Sequence, residues 1–440
     1  MGPHCLPRAL WSRLARDVSG AMTMFGLFVF LSMAVVGGLA IDVSHVHAER
    51  VRLQAMADAA AHATLVSRRK MSAEAAKAAA VAMVQAAEPD ARRGDVLLAS
   101  DISFGSFDYV TGKFTANSTG TKAVRVSTAR LANRGNAVAS YLTNLIGIDS
   151  WDVSREAVFV SYSPGCSEQG FLSEGPIDVQ SNNAYLNGFC MHSNTSVSIN
   201  NNNTFQPGTV LSLPNLSLLS MPSSGFQQND GLQAALRADT IEVRELRDLP
   251  DIIAQIQTYG SWHTPDYVTS GSVIQMSGSK FSADQFKTGR IHRLSCPGGS
   301  FSIDTKGLTT TIRKAVIVTD CAVSLGAGLV LEDAVLATTN TGTKSITGTS
   351  GLQIGRIDAC QPGGSAQILT MGSLSLPSGF NMHGSQVIAA GDIKFSAGAV
   401  GIGLSLIAGG EINGTSNMLM YRCSDGMEDN FRVDHYRLAL

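Results

Sequence analysis

The stretch VIAAGDIKFSAGAVGIGLSLIAGGEI, Val387 to Ile412, contains its own copy: VIAAGDI at Val387 returns as LIAGGEI at Leu406, nineteen residues on. Each copy is a short apolar run closed by glycine and one carboxylate. A fixed period near twenty, built from short β runs and Gly or Asn turns, is the signature of stacked parallel coils. No coil buries its inward row alone, so neighbours must share one apolar column. The period continues upstream: AVIVT at Ala315 recurs as AVLAT at Ala334, again nineteen on. ILTMGSLSL from Ile368 sits nineteen before VIAAGDIKF, so that Leu374 matches Ile393 and Leu376 matches Phe395. Ile354 falls nineteen after Val335, and only the step from Ile354 to Ile368 is shorter. Ile177 to Phe205 fits earlier coils, with Asn200 to Asn203 forming part of an asparagine-rich turn. Between the two blocks, Asp230 to Gly260 is charged and helical and reads as an insertion or cap. Residues 164–423 are therefore expected to form a parallel β-helix (a β-solenoid) with a helical insertion around 230–260, followed by a C-terminal tail at 424–440.

The other end of the chain obeys a different constraint. Ala21 to Ile41 carry no charged side chain, and as a helix they span roughly 30 Å, the thickness of a bilayer's hydrocarbon core. Arg8, Arg13 and Arg16 precede the run and only Asp17 offsets them. The positive-inside rule then makes 1–20 a cytoplasmic tail and 21–41 a transmembrane helix, with the chain after Asp42 outside. Gly38-Leu39-Ala40 resembles a signal-peptide cleavage site, but the run exceeds the usual apolar core of a signal peptide and no turn follows it. A processed prepilin would need Glu at the fifth position after Gly20, where Phe25 stands. Residues 42–88 read as a helical stalk, with a second helix from Ser72 to Glu88, capped by Ser72 and stopped by Pro89. On the stalk, Val46, Leu53, Met56, Ala60 and Ala63 share a face, small enough to admit close packing on the chain's own domain or on a partner. Residues 90–163 read as a small α+β unit: a hairpin turning near Thr111-Gly112, a short helix in NAVASYLTNLIG, and a strand in SWDVSREAVFVSYS.

Gly20, the apolar span, Asp42 and then RVRLQAMADAAAHA together resemble the N-terminal segment of TadG-like Flp pilus-assembly proteins. The pattern R-x-x-L-Q-x-x-x-D-A-A-A falls on Arg50, Leu53, Gln54 and Asp58, followed by Ala59 to Ala61. The resemblance is close over about fifty residues. It implies a place in the Flp/Tad pilus system, with other pilus-assembly proteins or pilin as partners and the bacterial inner membrane as location, most of the chain being periplasmic. Some such proteins carry a von Willebrand A domain with a D-x-S-x-S metal motif. Here D-x-S occurs at Asp42, Asp101 and Asp152, but Val46, Gly105 and Glu156 occupy the second serine position, so metal-mediated adhesion is not expected.

Thirty-three Lys and Arg against 35 Asp and Glu leave a net charge of −2, which gives no basic surplus for nucleic acid. Of seven cysteines, Cys5 lies before the span. Cys166, Cys190, Cys296, Cys321, Cys360 and Cys423 lie beyond it, an even set suited to an oxidising compartment. Six cysteines allow 15 pairings; proximity along the chain suggests 166 with 190, 296 with 321 and 360 with 423. No spacing points to zinc or redox catalysis, and His45 and His47, two apart on a helix, face away from each other. Catalysis on a β-helix needs convergent carboxylates or bases. Asp304, Asp320, Asp333, Asp358, Asp392 and Glu411 are candidates, and Asp392 and Glu411 lie one period apart and so should stack. With no basic residue evident beside them, they read as solvated turn residues.

The expected protein is thus a membrane-anchored α + β chain: anchor and stalk helix, small α+β unit, disulfide-stapled solenoid. It is expected to act as a scaffold without catalysis, cofactor or metal. An envelope adhesin or glycan-binding solenoid stands second and a carbohydrate-active enzyme third. If the anchor is permanent, the mature protein keeps residues 1–41 and resists alkaline carbonate extraction; an N-terminus at Ala21 or Ile41 by mass spectrometry would contradict it.

Overall fold

The computed structural model describes residues 19–68, 71–87, 93–358 and 360–439. The arginines, Asp17 and Cys5 of the expected tail, and the Pro89 stop, lie outside them. The chain forms two compact units, one running to Tyr162 and taking in Tyr436–Leu440, the other Ser163–His435.

In the first unit one helix, α1 (Ser19–Arg68), runs unbroken for 50 residues. Its first half is apolar and exposed and is long enough to cross a membrane. A second helix, α2 (Ala73–Ala87), follows, with the Ser72 hydroxyl accepting the Ala75 N–H at 3.3 Å. The sheet orders its strands Lys113–Ala116, Ile102–Asp108, Ala123–Arg130, Val153–Tyr162 and His435–Leu438. The first four run antiparallel, and the expected hairpin is there, Phe107 facing Phe114. Two expectations fail. NAVASYLTNLIG is not a helix: Val138–Ala139 pairs with Ser150–Trp151, and Thr143–Ile146 makes one 3-10 turn ended by left-handed Gly147. The amides of Tyr141, Leu142 and Thr143 are captured by a distant carboxylate, as described below, which leaves only one short turn after them. Nor is 424–440 a tail, because its last strand joins this sheet.

The second unit is a large domain of parallel strands. Its two main sheets have 15 and 10 strands. Along the chain the two sheets are visited in turn, the 15-stranded one sometimes by two consecutive strands, and the strands pair in parallel with counterparts about one period on. Leu374, Ile393 and Ile412 are register partners, fully buried in one interior column, as the repeat predicted. The long strands bend at a left-handed residue in the same place: Lys314, Asp333, Gly384 and Gly403. These pairs are again nineteen apart, and the bend divides each strand into two straight stretches. Ile354 departs from the sequence register. It pairs with Leu331 while Val335 pairs with Gln367, because Gly355 to Ser365 loops out of the strand and resets the period. Gly355 has φ +84, and a Cβ there would lie 1.8 Å from the His383 carbonyl oxygen. Only glycine lets the loop depart at that point.

The order of the stack is not the order of the chain. The first strand, Gly170–Ser173, pairs with the last long one, so that Phe171 faces Leu406 and Ser173 faces Ala408. Ile177 likewise faces Ile412, and Tyr185 faces Met420. The early block, whose period is twenty (Gly170 beside Cys190), therefore continues from the late block. The outermost strands come from mid-sequence: Leu236–Ala238 at one end and Ile274–Ser277 at the other. An asparagine ladder crosses the join. The Asn183 side-chain oxygen accepts the Met418 N–H at 2.9 Å, that of Asn203 accepts Asn183 N–H at 3.0 Å, and that of Asn229 accepts Asn203 N–H at 2.9 Å. Each side chain thereby satisfies a backbone donor of the next level, a strong requirement for buried amides.

This order explains the segment between the blocks. The runs AVIVT, AVLAT and SLIA are apolar without alternation, which is what a strand buried on both faces requires. Their inward residues join the interior column. The outward ones, Val316, Val335, Ile388 and Ile407, belong to a second buried cluster with Leu249, Ile252 and Ile253 of a third helix, α3 (Arg244–Gln255), which packs against the strands of Ile388 and Ile407. Thus α3 is neither an insertion nor an end cap: it lies along the flank of the stack, in the segment that joins one end to the other. The C-terminal segment is held on the same unit. Gln169 exchanges two hydrogen bonds with the Cys423 backbone (2.8 and 2.7 Å), as Gln386 does with Phe431 (3.1 and 2.8 Å).

The junction can be checked directly. Asp178 and Asn413 are facing residues of the join, 235 positions apart in sequence, and both are partly exposed. In an Asp178→Cys/Asn413→Cys variant, mild oxidation should join them, read as one crosslinked peptide; a stack in chain order would leave both thiols free.

Candidate functional site

The resemblance residues sit along α1, and their side chains divide between solvent and the unit's own core. Gly20 is exposed, with nothing near the place a Cβ would occupy. Arg50 is exposed too. Leu53 is fully buried, and its carbonyl accepts the Thr128 hydroxyl at 2.8 Å. Gln54 donates one turn ahead to Asp58 (2.8 Å) and across to the Glu156 carbonyl (3.2 Å), which ties the helix to the strand Val153–Tyr162. The buried stripe is Val46, Leu53, Ala57, Ala60, Ala61 and Leu65, rotated from the one read in the sequence, with Met56 and Ala63 only partly covered. The unit's own sheet covers it.

Two carboxylates on that stripe, seven residues apart, form the polar centre of the unit. Asp42 is 1% exposed and accepts the N–H groups of Tyr141 (2.8 Å), Leu142 (3.0 Å) and Thr143 (2.6 Å), and the Thr143 hydroxyl (2.7 Å). Burial works against its charge, but the Thr143 donors, with Tyr141 and Leu142, overcome it and hold the pKa at about 2. Glu49 binds Arg130 at 2.9 Å and Arg93 at 3.4 Å. The Arg130 guanidinium, itself buried, also donates to the carbonyls of Asn136 and Ala137. Sequence reading missed Glu49. Its signal was an acid on the apolar stripe, one helical step from Val46 and one from Leu53. The His45 ring packs against that of Tyr141, tilted by 50°, with centroids 4.6 Å apart.

Asp392 and Glu411 do lie together at the edge of the stack. The Asp392 carboxylate accepts the Glu411 N–H at 2.9 Å, nineteen residues on, so it ties one level of the stack to the next. The sequence reading left out one neighbour: Lys394 reaches Asp392 at 3.2 Å and Glu411 at 3.6 Å, which neutralises part of the pair. Asp333 bends its strand and accepts the Gly364 N–H, Asp358 pairs with Arg356 at 2.8 Å, and Asp304 accepts the Lys306 N–H at 2.8 Å. Asp304, Asp333 and Asp358 each hold a different local contact. The six cysteines form bridges 166–190, 296–321 and 360–423, with Cα separations of 4.8, 6.3 and 5.7 Å. One group with metal-ligand geometry among the described residues is Cys296, Asp320 and Cys321, but its two sulfurs are bonded to each other.

Comparison with known proteins gives two family matches. A family described as "Domain of unknown function (DUF7867)" matches residues 170–424, over half of the chain. "Putative Flp pilus-assembly TadE/G-like" matches residues 20–85, so the N-terminal segment is TadE/G-like. No curated protein matches. A solved structure, the Shewanella frigidimarina ice-binding protein_1 DUF3494 domain, is similar at 11% identity over 60% of this chain and 100% of that chain, with a TM-score of 0.21.

The two buried acids make different predictions. Glu49→Ala strands the buried Arg130 and should cost about 3–5 kcal/mol in chemical denaturation. Asp42 has a depressed pKa, so its contribution is present above the ordinary carboxylate value of 3.8 and lost as pH falls through about 2. Asp42→Asn should therefore speed hydrogen exchange of the Tyr141 to Thr143 amides at pH 6, and the difference from the native protein should shrink toward pH 2. Equal exchange at pH 6 would contradict the role given to Asp42.

Proposed function

We propose that this chain, which belongs to the DUF7867 family and opens with a TadE/G-like segment, is a non-enzymatic, membrane-anchored scaffold of the Flp/Tad pilus or its secretion machinery. The observation that carries the reading is the coincidence of the TadE/G-like match, residues 20–85, with the helix that is long and apolar enough to span a bilayer. In this reading α1 anchors the chain in the inner membrane with its N-terminus in the cytoplasm. The parallel-strand unit is a β-solenoid in the periplasm, where three disulfides are stable. Its task is to offer a long, rigid surface to pilin or to another assembly protein. The carboxylates at its edge support a role in shape over chemistry, because Asp392 ties successive levels together and Lys394 partly neutralises the pair.

A genetic complementation separates the scaffold from an enzyme. In a strain lacking this protein, the Asp392→Asn/Glu411→Gln variant should restore pili as the native chain does, and envelope crosslinking should capture a pilus-assembly protein on it. If the double variant is folded and membrane-bound yet restores nothing, the scaffold reading fails and chemistry on that edge replaces it.

A further inference from the structure

The loop bound by Asp42 carries more exposed apolar surface than a water-facing turn should. Tyr141 is 60% exposed, Leu142 40%, Leu145 82% and Ile146 55%. These side chains are not scattered. Leu142, Leu145 and Ile146 form one wall of an apolar groove whose other wall is α1 itself, at Leu31, Val35, Gly38 and Ile41. A Cβ on Gly38 would lie 2.9 Å from the Leu142 Cβ, so glycine is what lets the loop lie against the helix. From Ile41 to Leu31 is about 15 Å at 1.5 Å per residue, or half the apolar span. Side chains in contact with that half of α1 share its solvent.

We propose that the loop from Tyr141 to Ile148 enters the outer leaflet beside α1, so that the chain holds the bilayer by a second, non-spanning element whose groove is filled by lipid acyl chains. The inference rests on the reading of α1 as a membrane anchor. Its independent support is the backbone. Irregular chain enters hydrocarbon only when its polar groups are satisfied within the protein. Here Asp42 accepts the amides of Tyr141, Leu142 and Thr143. The N–H groups of Leu145, Gly147 and Ile148 donate to the carbonyls of Leu142, Asn144 and Thr143. Ser140 N–H donates to Asp149 on the returning arm. Asn144 and the ring of Tyr141 set the depth: a polar side chain and an amphipathic aromatic belong at the interface and not at the midplane. The carboxylate of Asp42 thus has a purpose beyond holding a turn, since it supplies at the membrane surface the acceptors that water would otherwise provide.

The test uses full-length protein in phosphatidylethanolamine/phosphatidylglycerol vesicles, with a Cys5→Ser background and one environment-sensitive label at a time. Labels are placed at Leu145→Cys, at Val35→Cys in the span, and at Thr119→Cys in the exposed turn before the strand Ala123–Arg130. Lipids spin-labelled in the acyl chain should quench Leu145 and Val35 at least twofold and leave Thr119 unchanged. Quenching at Val35 but not at Leu145, with iodide reaching Leu145 from water, would overturn the inserted loop and leave the anchor standing. Quenching at neither would overturn the anchor and the loop together. A second variant guards against misfolding: Leu145→Ser/Ile146→Ser should keep the native circular dichroism spectrum yet raise iodide access to a label at Leu142→Cys, and no change there would also count against insertion.

Discussion

One junction holds the larger unit together, where Gly170–Ser173 pairs with Ser405–Ala408 and the two strands that follow each pair in the same order. Every level of a parallel stack lends half its interior to its neighbours, so a block that ends must either be capped or be joined to another block. Here the two blocks end on each other. The inward column runs without a gap from Ile393 through Ile412 to Ile177 and Val197, each of them buried. Burial of such a side chain contributes about 1.5–3 kcal/mol, and at the join both levels would lose their share together. The asparagine ladder and the Gln169–Cys423 exchange sit at the same place for the same reason. At the seam, Asn183 to Met418 and Gln169 to Cys423 add side-chain links to the backbone ladder.

The smaller unit solves the opposite problem. A 50-residue helix that is half apolar has no reason to stay with a sheet unless something fixes it there. The buried acids do so, each with several donors, and further along the helix the small residues Ala57, Ala60 and Ala61 let the sheet approach closely. A charged group taken out of water is tolerated only when its partners are fixed in advance. Those partners come from Arg130 and from the amides of a turn, far away in sequence.

Much of the larger unit was legible because its constraint is local and repeated. Leu374, Ile393 and Ile412 announced the column through their spacing alone. The order of the levels was not legible, because each level makes the same ladder and no residue of Gly170–Ser173 names its partner. The continuous apolar runs did hold the clue to α3, since a strand with two buried faces needs a cover. Ile354 misled because an eleven-residue loop, Gly355 to Ser365, displaced the true register while leaving an accidental match of nineteen. In the smaller unit, Ala123–Arg130 went unread as a strand because its charged residues break the apolar run, although it is central in the sheet. Glu49 and Asp42 were on the page, but their partners lie 81 and about a hundred residues away, beyond any pattern of spacing.

The seam also sets a timetable. Residues 170 to 238 can coil as soon as they emerge, but the strand at their open edge meets its partner only when Ser405 to Ala408 exist. Until then Phe171 and Ile177 present an uncovered apolar row and an unpaired ladder, the kind of surface on which chains aggregate. Loop closure over 235 residues is slow compared with the twenty-residue closures inside each block. Cysteine chemistry follows the same clock: the bridges Cys166–Cys190 and Cys296–Cys321 close within the blocks, at separations of 24 and 25, whereas Cys360–Cys423 has to wait for the end of the chain. A protein built this way closes its seam last, and a holding chaperone would find its client in the block that was made first.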